Sequence, residues 1–375
     1  SVSLESRHML FLILSAVVSN AQFGPAATEA WNDYVLQTME RWKVEGIQAD
    51  CIPRRYQAHG EYKGVVVLHH GFSACPQQYF DLAPLLSAEG FDVLLPLMPG
   101  QGLNYTEVNG TFVDNFSNLP WNSSVYATFN NQINQVVQLA GGEKVVLGLS
   151  VGGSVAAGAA QAVDRNGRGI YDRAVVANPL LHAANLAADL LLNVVFTVPG
   201  LAKKTFSWGP GCDKERGLGR AGICTMNYGA LAAARNYGKD LLQDNNTVPS
   251  NTAVQVLYDI KDPVVNTKSV QYFFKSHVPA SGSMCTLPQD AGHSFLSRHD
   301  TPSANKWWLQ EVTCRLVSFL TQTSVDPGDL EDGFMAKNTK AHSAVPGCVL
   351  NCTAVRCPYK MDLSHPLTCP YKSTQ

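Results

Sequence analysis

The stretch Glu143-Lys-Val-Val-Leu-Gly-Leu-Ser-Val-Gly-Gly-Ser-Val-Ala-Ala-Gly158 joins an apolar run to an alanine-rich run through a serine flanked by glycines. Residues 145–149 are apolar and partly β-branched, which favours a buried parallel strand. Residues 155–163 are rich in alanine, the strongest helix former. The pattern therefore predicts a strand, a sharp turn and a helix, with Ser150 at the apex of the turn.

The turn itself, Gly148-Leu-Ser-Val-Gly152, fits the G-x-S-x-G pattern of a nucleophile elbow. In this motif the flanking glycines allow a strained backbone that lifts the serine oxygen clear of its neighbours. A chain of this length contains such a pentapeptide by chance on the order of once in eight cases. Its position between a predicted strand and a helix of small residues makes the match specific, and Ser150 is the predicted nucleophile.

The composition limits the classes of partner. The chain has 375 residues with 45% hydrophobic content, enough to bury a large core. Its formal net charge of -2 leaves no basic stripe, which argues against nucleic acid as a partner. Only 15% of the residues are charged, below the usual ~25%. Some other solubilising group is therefore expected on the surface.

Six N-x-S/T sequons indicate what that group is, because such asparagines carry glycans in secreted proteins. Four of them fall between residues 104 and 124. The predicted glycosylation sites are Asn104, Asn109, Asn115, Asn122, Asn245 and Asn351.

The first 21 residues have the pattern of a signal peptide. Arg7 and His8 precede an apolar run at 9–18, and Ser19-Asn-Ala21 is a small-x-small cleavage site. The apolar run is too short to span a bilayer, and a buried helix is the alternative. We predict a signal peptide at 1–21 and a protein that is secreted or lies in the lumen of the secretory pathway.

Ten cysteines, an even number, fit disulfides in an oxidising compartment. Their proximity in sequence predicts the pairs Cys212–Cys224 and Cys285–Cys314.

Beyond Asp326 the periodic pattern ends, and four cysteines follow with the spacing Cys348-x3-Cys352-x4-Cys357-x11-Cys369. We predict a disulfide-bonded tail at 326–375. A zinc site is the alternative, but zinc knuckles use shorter spacings, so no metal is predicted.

Strand-like and helix-like segments alternate along the chain. Strands are predicted at 64–70, 91–96, 145–149, 173–177, 253–258 and 283–287, and helices at 25–49, 76–89, 121–140, 155–163 and 303–320. Such alternation predicts a mainly parallel sheet with helices on both faces.

The alternation stops between residues 178 and 251, where we predict a helix-rich lid insertion. Residues 180–198 form an apolar helix that ends at Pro199-Gly200, with polar residues three or four apart on one stripe. The polar stripe consists of His182, Asn185, Asp189 and Asn193. Either the helix faces acyl chains as a lid or it is simply packed on the domain.

Two further residues complete a catalytic arrangement with Ser150. A serine hydroxyl needs a base to take its proton and a third group to orient the base. Asp262 follows the strand at 253–258, and His293 follows the strand at 283–287. Because the carboxyl ends of parallel strands open on one edge of a sheet, all three residues are expected to meet there. His293 is the predicted base and Asp262 the predicted orienting acid.

Other residues compete for these roles. Asp259 lies closer to the strand and is the alternative acid, and Asp290 fits a turn better. His299 is an alternative base, but it lies against the predicted closing helix. His69 and His70 precede a loop glycine, where a histidine usually shapes the loop.

The developing oxyanion needs preorganised hydrogen-bond donors. Val151 at the start of the predicted helix supplies one backbone amide. The sequence His70-Gly-Phe72-Ser73 follows the first predicted strand of the alternation, and its glycine frees the backbone beside Ser150. The Phe72 amide is the predicted second donor of the oxyanion hole.

Four motifs in this order, His70-Gly-Phe72, Gly148-Leu-Ser-Val-Gly152, Asp262-Pro-Val-Val265 and Gly292-His293, resemble those of the α/β-hydrolase superfamily. The resemblance covers residues 62–320 and is strongest to the serine esterase and lipase branch, which includes monoacylglycerol lipases and carboxylesterases. It implies a mostly parallel eight-stranded sheet flanked by helices, a lid over the pocket, an acyl-enzyme mechanism and no cofactor. The catalytic domain would span 22–325, with the lid insertion at 178–251.

The expected function is that of a secreted serine hydrolase for carboxylic esters, with acyl or lipid esters favoured by the apolar lid. The expected partner is a small-molecule or lipid ester, with transient contact between the lid and a lipid interface. A peptidase or an acyltransferase using the same triad, or a binding protein that keeps the fold without turnover, is the alternative.

Overall fold

The computed structural model describes residues 22–41, 46–108, 111–207, 210–217, 219–243, 245–287 and 292–296, with a few positions between 312 and 321. Several sequence predictions fall outside these residues: the signal peptide at 1–21, the tail at 326–375, most of the closing helix at 303–320, Asp290, His299, Cys314, and the sequons at Asn109 and Asn351.

Eleven strands lie within the described residues. They are β1 (Arg54–Tyr56), β2 (Gly64–His69), β3 (Phe91–Leu95), β4 (Thr106–Val108), β5 (Thr111–Val113), β6 (Glu143–Leu149), β7 (Arg173–Ala177), β8 (Thr205–Ser207), β9 (Thr225–Asn227), β10 (Ala253–Tyr258) and β11 (Ser283–Thr286).

Eight α-helices lie in the same described ranges. They are α1 (Pro25–Arg41), α2 (Ala83–Ala88), α3 (Ser124–Leu139), α4 (Val151–Gln161), α5 (Leu186–Val194), α6 (Pro210–Gly217), α7 (Tyr228–Asp240) and α8 (Thr267–His277). In the described part of the chain, no helix combines the length and the apolar character needed to span a bilayer.

The central sheet has the strand order β1-β3-β2-β6-β7-β10-β11. Every neighbouring pair is parallel except β1 and β3. The mostly parallel sheet predicted from the alternating pattern is therefore confirmed.

The described part of the sheet has seven strands, whereas the resemblance implies eight. The edge strand β1 precedes β2 in the chain, and the residues before it form a 3-10 helix at Ala49–Cys51. A disulfide from Cys51 to Cys75 ties that short helix to the loop after β2.

Helices cover both faces of the sheet. Successive strand side chains point to opposite faces, so Val65 and Val67 of β2 pack in the cluster that includes side chains of α1, α3, α4, α7 and α8. Val66 and Leu68 pack on the other face, against α2. The β2 strand is buried along its whole length, which explains its continuous apolar sequence.

The predicted insertion lies between β7 and β10 and contains α5, α6, α7 and the β8–β9 hairpin. Its first helix begins at Leu186 rather than near residue 180. The Asn185 side chain accepts hydrogen bonds from the amides of Ala187 and Ala188 and caps the helix there. The residues from Leu180 to the start of this helix are not helical, and the Leu180 amide instead donates to the Ser150 carbonyl.

One predicted disulfide, Cys212–Cys224, is confirmed. Cys285 is also disulfide-bonded, and its predicted partner, Cys314, lies outside the described residues. The Cys51–Cys75 bond was not predicted, because its two cysteines are 24 residues apart on separate elements.

His69 at the end of β2 makes stability depend on pH. The side chain is fully buried, and its pKa is lowered to about 3, first by burial and second by an electrostatic contribution from neighbouring His70. Between pH 6.5 and 3 the unfolded chain takes up a proton at this position that the folded chain does not. The contribution of His69 to the free energy of unfolding is therefore complete above pH 6.5. As the pH falls from 6.5 to 3, this contribution is lost by about 1.4 kcal/mol per pH unit.

We expect His69→Leu to remove this dependence, because leucine carries no titrating group. Between pH 7 and pH 5 the free energy of unfolding of the wild type should fall by about 2 kcal/mol more than that of the variant. Denaturant unfolding at both pH values measures the difference. Parallel loss of stability in the two proteins would contradict the assignment.

Candidate active site

Ser150 lies at the turn between β6 and α4 with φ of 61° and ψ of -119°. This backbone conformation is unusual for a residue with a side chain and costs free energy. The Ser150 amide donates to the Ala177 carbonyl at the end of β7, and the Ser150 carbonyl accepts from the Leu180 amide, both at 3.0 Å. Strand β7 and the segment just after it thus hold the strained turn through two hydrogen bonds.

The two glycines of the turn allow close backbone contact. A side chain at Gly148 would collide with the backbone of Gly152. A side chain at Gly152 would collide with the carbonyl groups of His69 and His70. The strand, turn and helix predicted around Ser150 are confirmed, and the glycines bring the loop after β2 against the serine.

Ser150, His293 and Asp262 form a continuous chain of hydrogen bonds. The His293 Nε2 atom lies 2.8 Å from the Ser150 Oγ atom. The His293 Nδ1 atom lies 2.7 Å from the Asp262 Oδ2 atom. The Asp262 side chain is fully buried, whereas 17% of the His293 side chain is exposed. The structure therefore brings together the three side chains that the sequence places after three different strands.

The Asp262 carboxylate is fixed by its own turn. Its Oδ1 atom accepts hydrogen bonds from the amides of Val264 at 2.7 Å and Val265 at 2.9 Å. Aspartate commonly bonds to the backbone two or three residues onward in this way. The other oxygen is left directed at His293.

Asp259, the alternative acid, contacts the backbone of the histidine loop. Its carboxylate accepts from the Gly292 amide at 3.0 Å and from the Lys261 amide at 2.8 Å. Asn178 adds to this support: its side chain accepts from the Asp259 amide at 2.9 Å and donates to the His293 carbonyl at 3.1 Å. Asn178 was not predicted from the sequence, because its only local signal is an asparagine directly after a strand.

His70 shapes the loop after β2. Its Nδ1 atom lies 2.9 Å from the Gly71 carbonyl, and its Nε2 atom accepts from the Met98 amide at 3.0 Å. These contacts suit a neutral ring with the proton on Nδ1. Because both ring nitrogens are engaged, His70 is not placed to serve as a base for Ser150.

The predicted oxyanion donors flank the serine. Val151 is the first residue of α4, so its amide has no acceptor within the helix. Gly71 lies beside the serine, since a Cβ atom there would be 3.6 Å from that of Ser150. The next amide, that of Phe72, makes no hydrogen bond within the described residues. Both amides are therefore available to a ligand.

A cavity of about 280 Å³ opens at Ser150 and His293. Its walls combine apolar side chains with charged groups contributed by the insertion. The apolar lining includes Phe72, Leu149, Leu180, Leu231 and Val264, and the charged lining includes Glu215 and Arg220. Among the described residues, no three His, Cys, Asp or Glu side chains are grouped as metal ligands.

Residues 66–304 match the Alpha/beta hydrolase family. The match covers more than half of the chain, and the chain therefore belongs to the α/β-hydrolase family. No curated protein matches the sequence significantly.

Solved structures share the fold at low sequence identity. A monoacylglycerol lipase from Paleococcus ferrophilus has 15% identity and a TM-score of 0.53, covering 72% of this chain and 98% of its own. A soluble variant of monoglyceride lipase from Saccharomyces cerevisiae has 15% identity and a TM-score of 0.55, covering 73% and 92%. A structure from work on the metagenome-derived lipolytic enzymes LipS and LipT has 16% identity and a TM-score of 0.51, covering 74% and 100%.

Asp259 provides a test of how the histidine loop is positioned. We expect Asp259→Ala to lower kcat on a soluble ester by about 10- to 100-fold, because His293 loses its backbone support and small displacements of catalytic groups are costly. Asp259→Asn is the matched control and should retain more activity, since its amide oxygen can replace one of the two carboxylate acceptors and still accept from Gly292. Wild-type kcat in Asp259→Ala would show that the contact is dispensable.

Proposed function

We propose that this chain is a serine hydrolase that cleaves carboxylic esters through an acyl-enzyme intermediate. The observation that carries the proposal is the hydrogen-bonded series from Ser150 through His293 to Asp262. Membership of the α/β-hydrolase family supports it, because the nucleophile elbow of that fold places its serine at such a turn.

In the proposed reaction the Ser150 oxygen attacks the ester carbonyl while the His293 Nε2 atom takes the hydroxyl proton. The tetrahedral intermediate places its negative oxygen at the Phe72 and Val151 amides. His293 then gives the proton to the departing alcohol, leaving an ester between the acyl group and Ser150. Water then attacks this ester with His293 again as base, and the acid is released.

Asp262 supports this proton transfer without losing its charge. Its carboxylate holds the His293 proton on Nδ1, so that Nε2 faces the serine as an acceptor. It also stabilises the imidazolium that forms when His293 takes the serine proton.

The apolar surface of α5 favours lipid esters as substrates. Leu186, Leu190 and Val194 follow one another at intervals of four residues and are 72%, 55% and 43% exposed. Residues at this spacing lie on one face of a helix, so they form an apolar stripe toward solvent. The buried side of α5 packs in a cluster with Leu231, which lines the cavity, and an apolar stripe exposed on such an element suits contact with a lipid interface.

Part of the polar stripe is held against the protein, since Asp189 is buried, while Asn185 and Asn193 remain exposed. The Asp189 carboxylate accepts from the Ala183 amide and lies 3.0 Å from the His182 ring, and the Arg235 guanidinium donates to the Asn193 side chain. Burial acts to raise the pKa of Asp189, but these hydrogen bonds and the charge of Arg235 hold it below its usual value. Together with the buried Leu192, these polar contacts fix the helix on the domain, and its exposed apolar residues remain available to a lipid interface.

The proposed location is outside the cell or in the secretory lumen. The sequon asparagines Asn104, Asn122 and Asn245 are exposed, as glycan attachment requires. The Cys51–Cys75 and Cys212–Cys224 disulfides fit an oxidising compartment.

We expect Ser150→Ala to lower kcat on a p-nitrophenyl ester by at least about 10⁴-fold, because the variant has no nucleophile. Wild-type protein should label with a fluorophosphonate and the variant should not. The rates of the wild type on esters, on amides and on esters with an added alcohol acceptor then distinguish an esterase from a peptidase or an acyltransferase. A wild type that neither turns over esters nor labels would favour a binding protein and overturn the proposal.

We expect Leu186→Ser with Leu190→Ser to reduce hydrolysis of a long-chain ester in vesicles by about tenfold or more, because each leucine contributes roughly 1.5–3 kcal/mol when buried in lipid. Activity on a soluble short-chain ester should be unchanged. Leu36→Ser is the control, since Leu36 is 59% exposed on α1, outside the insertion. Equal losses on both substrates would contradict a role at the lipid interface.

A further inference from the structure

Two loops meet beside the candidate oxyanion hole. We name residues 71–75 the oxyanion loop and residues 219–224, between α6 and β9 in the insertion, the cap loop. The Ile223 amide of the cap loop donates to the Ser73 carbonyl at 2.9 Å. Gln77, just beyond the oxyanion loop, accepts from the Ala221 amide at 2.6 Å and donates to the Gly219 carbonyl at 2.8 Å. The insertion is thus hydrogen-bonded to the segment that carries the Phe72 amide.

Ser73 has a strained backbone that these contacts hold in place. Its φ of 69° lies in the left-handed region, which is unfavourable for a serine. Such a conformation persists only when the surrounding structure fixes it. The Ser73 amide donates to the Gln101 side chain at 3.2 Å, while its carbonyl accepts from Ile223 and from the guanidinium of Arg220. Two of these three contacts come from the cap loop.

Arg220 brings a buried positive charge to Ser73. Its Nη2 atom lies 3.3 Å from the Ser73 carbonyl oxygen and 3.4 Å from the Ser73 hydroxyl oxygen. Its Nε atom lies 3.7 Å from the Glu215 carboxylate. Only 7% of the arginine is exposed, and burying a guanidinium is costly unless its donors are used. The position of Arg220 is therefore closely tied to that of Ser73.

Gly222 permits the two loops to come this close. A side chain at Gly222 would collide with the Ser73 carbonyl oxygen. The side chain of Gln48 fixes Gly222 from the other side, accepting from its amide and donating to its carbonyl, each at 3.1 Å. Any atom added here must displace either the cap loop or the oxyanion loop.

Disulfides anchor both loops at one end. Cys75 ends the oxyanion loop and is bonded to Cys51, and Cys224 ends the cap loop and is bonded to Cys212 in α6. The Cys224 amide also donates to the Asp114 carboxylate at 2.9 Å. The contact between the loops is therefore made by two anchored segments.

We propose that Arg220 and Gly222 are positioning residues for the oxyanion hole: they fix Ser73 and thereby hold the adjacent Phe72 amide in the orientation that binds the oxyanion. This inference rests on the proposed hydrolase function. It assigns to the insertion a part in the chemical step, in addition to covering the cavity.

The first test compares two glycines of the cap loop. Gly219 and Gly222 both have positive φ, of 96° and 110°, so alanine is strained at either position. Gly219 has nothing within 4 Å of an added Cβ atom, whereas Gly222 faces the Ser73 carbonyl. We expect Gly222→Ala to lower kcat on a soluble short-chain ester at least tenfold, with KM little changed, because the loss of one oxyanion donor costs about 10²- to 10³-fold. Gly219→Ala should retain most of the wild-type kcat.

The second test replaces Arg220 without adding bulk to the loop. Arg220→Met removes the donors and should lower kcat at least about fivefold, and Arg220→Lys should recover part of the loss, since an ammonium group can still donate to the Ser73 carbonyl. A trifluoromethyl ketone mimics the tetrahedral intermediate, so its Ki should rise by about the same factor as kcat/KM falls. A purely structural role would not produce this proportionality.

All rates are to be expressed per active site, titrated to completion with a fluorophosphonate, so that loss of folded protein does not count as loss of catalysis. Wild-type kcat per titrated site in both Gly222→Ala and Arg220→Met would overturn the positioning role. Failure of the wild type itself to label or to hydrolyse any ester would instead overturn the proposed function.

Discussion

The backbone of Gly152 lies directly against the carbonyl groups of His69 and His70, and the rest of the site depends on this contact. It sets how close the loop after β2 comes to the serine turn, and so where the Phe72 amide lies relative to the Ser150 hydroxyl. No other residue type fits at this position, because a Cβ atom would overlap the carbonyl groups. The strain at Ser150 is sustained by the surrounding sheet, whose strand β7 holds the turn through the Ala177 carbonyl.

The parallel sheet brings the other catalytic residues to the serine turn. Strands β6, β10 and β11 run in the same direction, so the residues that follow them emerge at one edge. Ser150 and His293 are 143 positions apart in sequence, yet their reacting atoms lie within a hydrogen bond. Secondary contacts then fix each side chain: two amides hold Asp262, and Asp259 with Asn178 holds the backbone around His293.

Much of this arrangement could be predicted because its signals are local. The elbow is evident from Gly148 and Gly152, and the acid loop from Asp262 with the residues that follow it. The alternation of strands and helices then implies that these segments meet. The pair Cys212–Cys224 was predictable for a similar reason, since its loop is short.

Features that depend on distant contacts could not be predicted. Asn178 is identifiable only when the histidine loop is seen beside it, and Cys51 gives no sign that it bonds Cys75. The polar stripe that includes Asp189 and Asn193 was recognised, but its contacts were not, because they are made to Arg235 in a later helix. The short disulfide-bonded 3-10 helix before β1 has no local signal either, because three residues with one cysteine are not distinctive in the sequence.

The central claim is that the Ser150 hydroxyl reacts while the Phe72 and Val151 amides bind the developing charge. A crystal structure of the protein after reaction with a fluorophosphonate tests this claim most directly. We expect phosphorus bonded to the Ser150 Oγ atom and a phosphoryl oxygen about 3 Å from both amide nitrogens. Attachment at another residue, or a phosphoryl oxygen turned away from both amides, would contradict it.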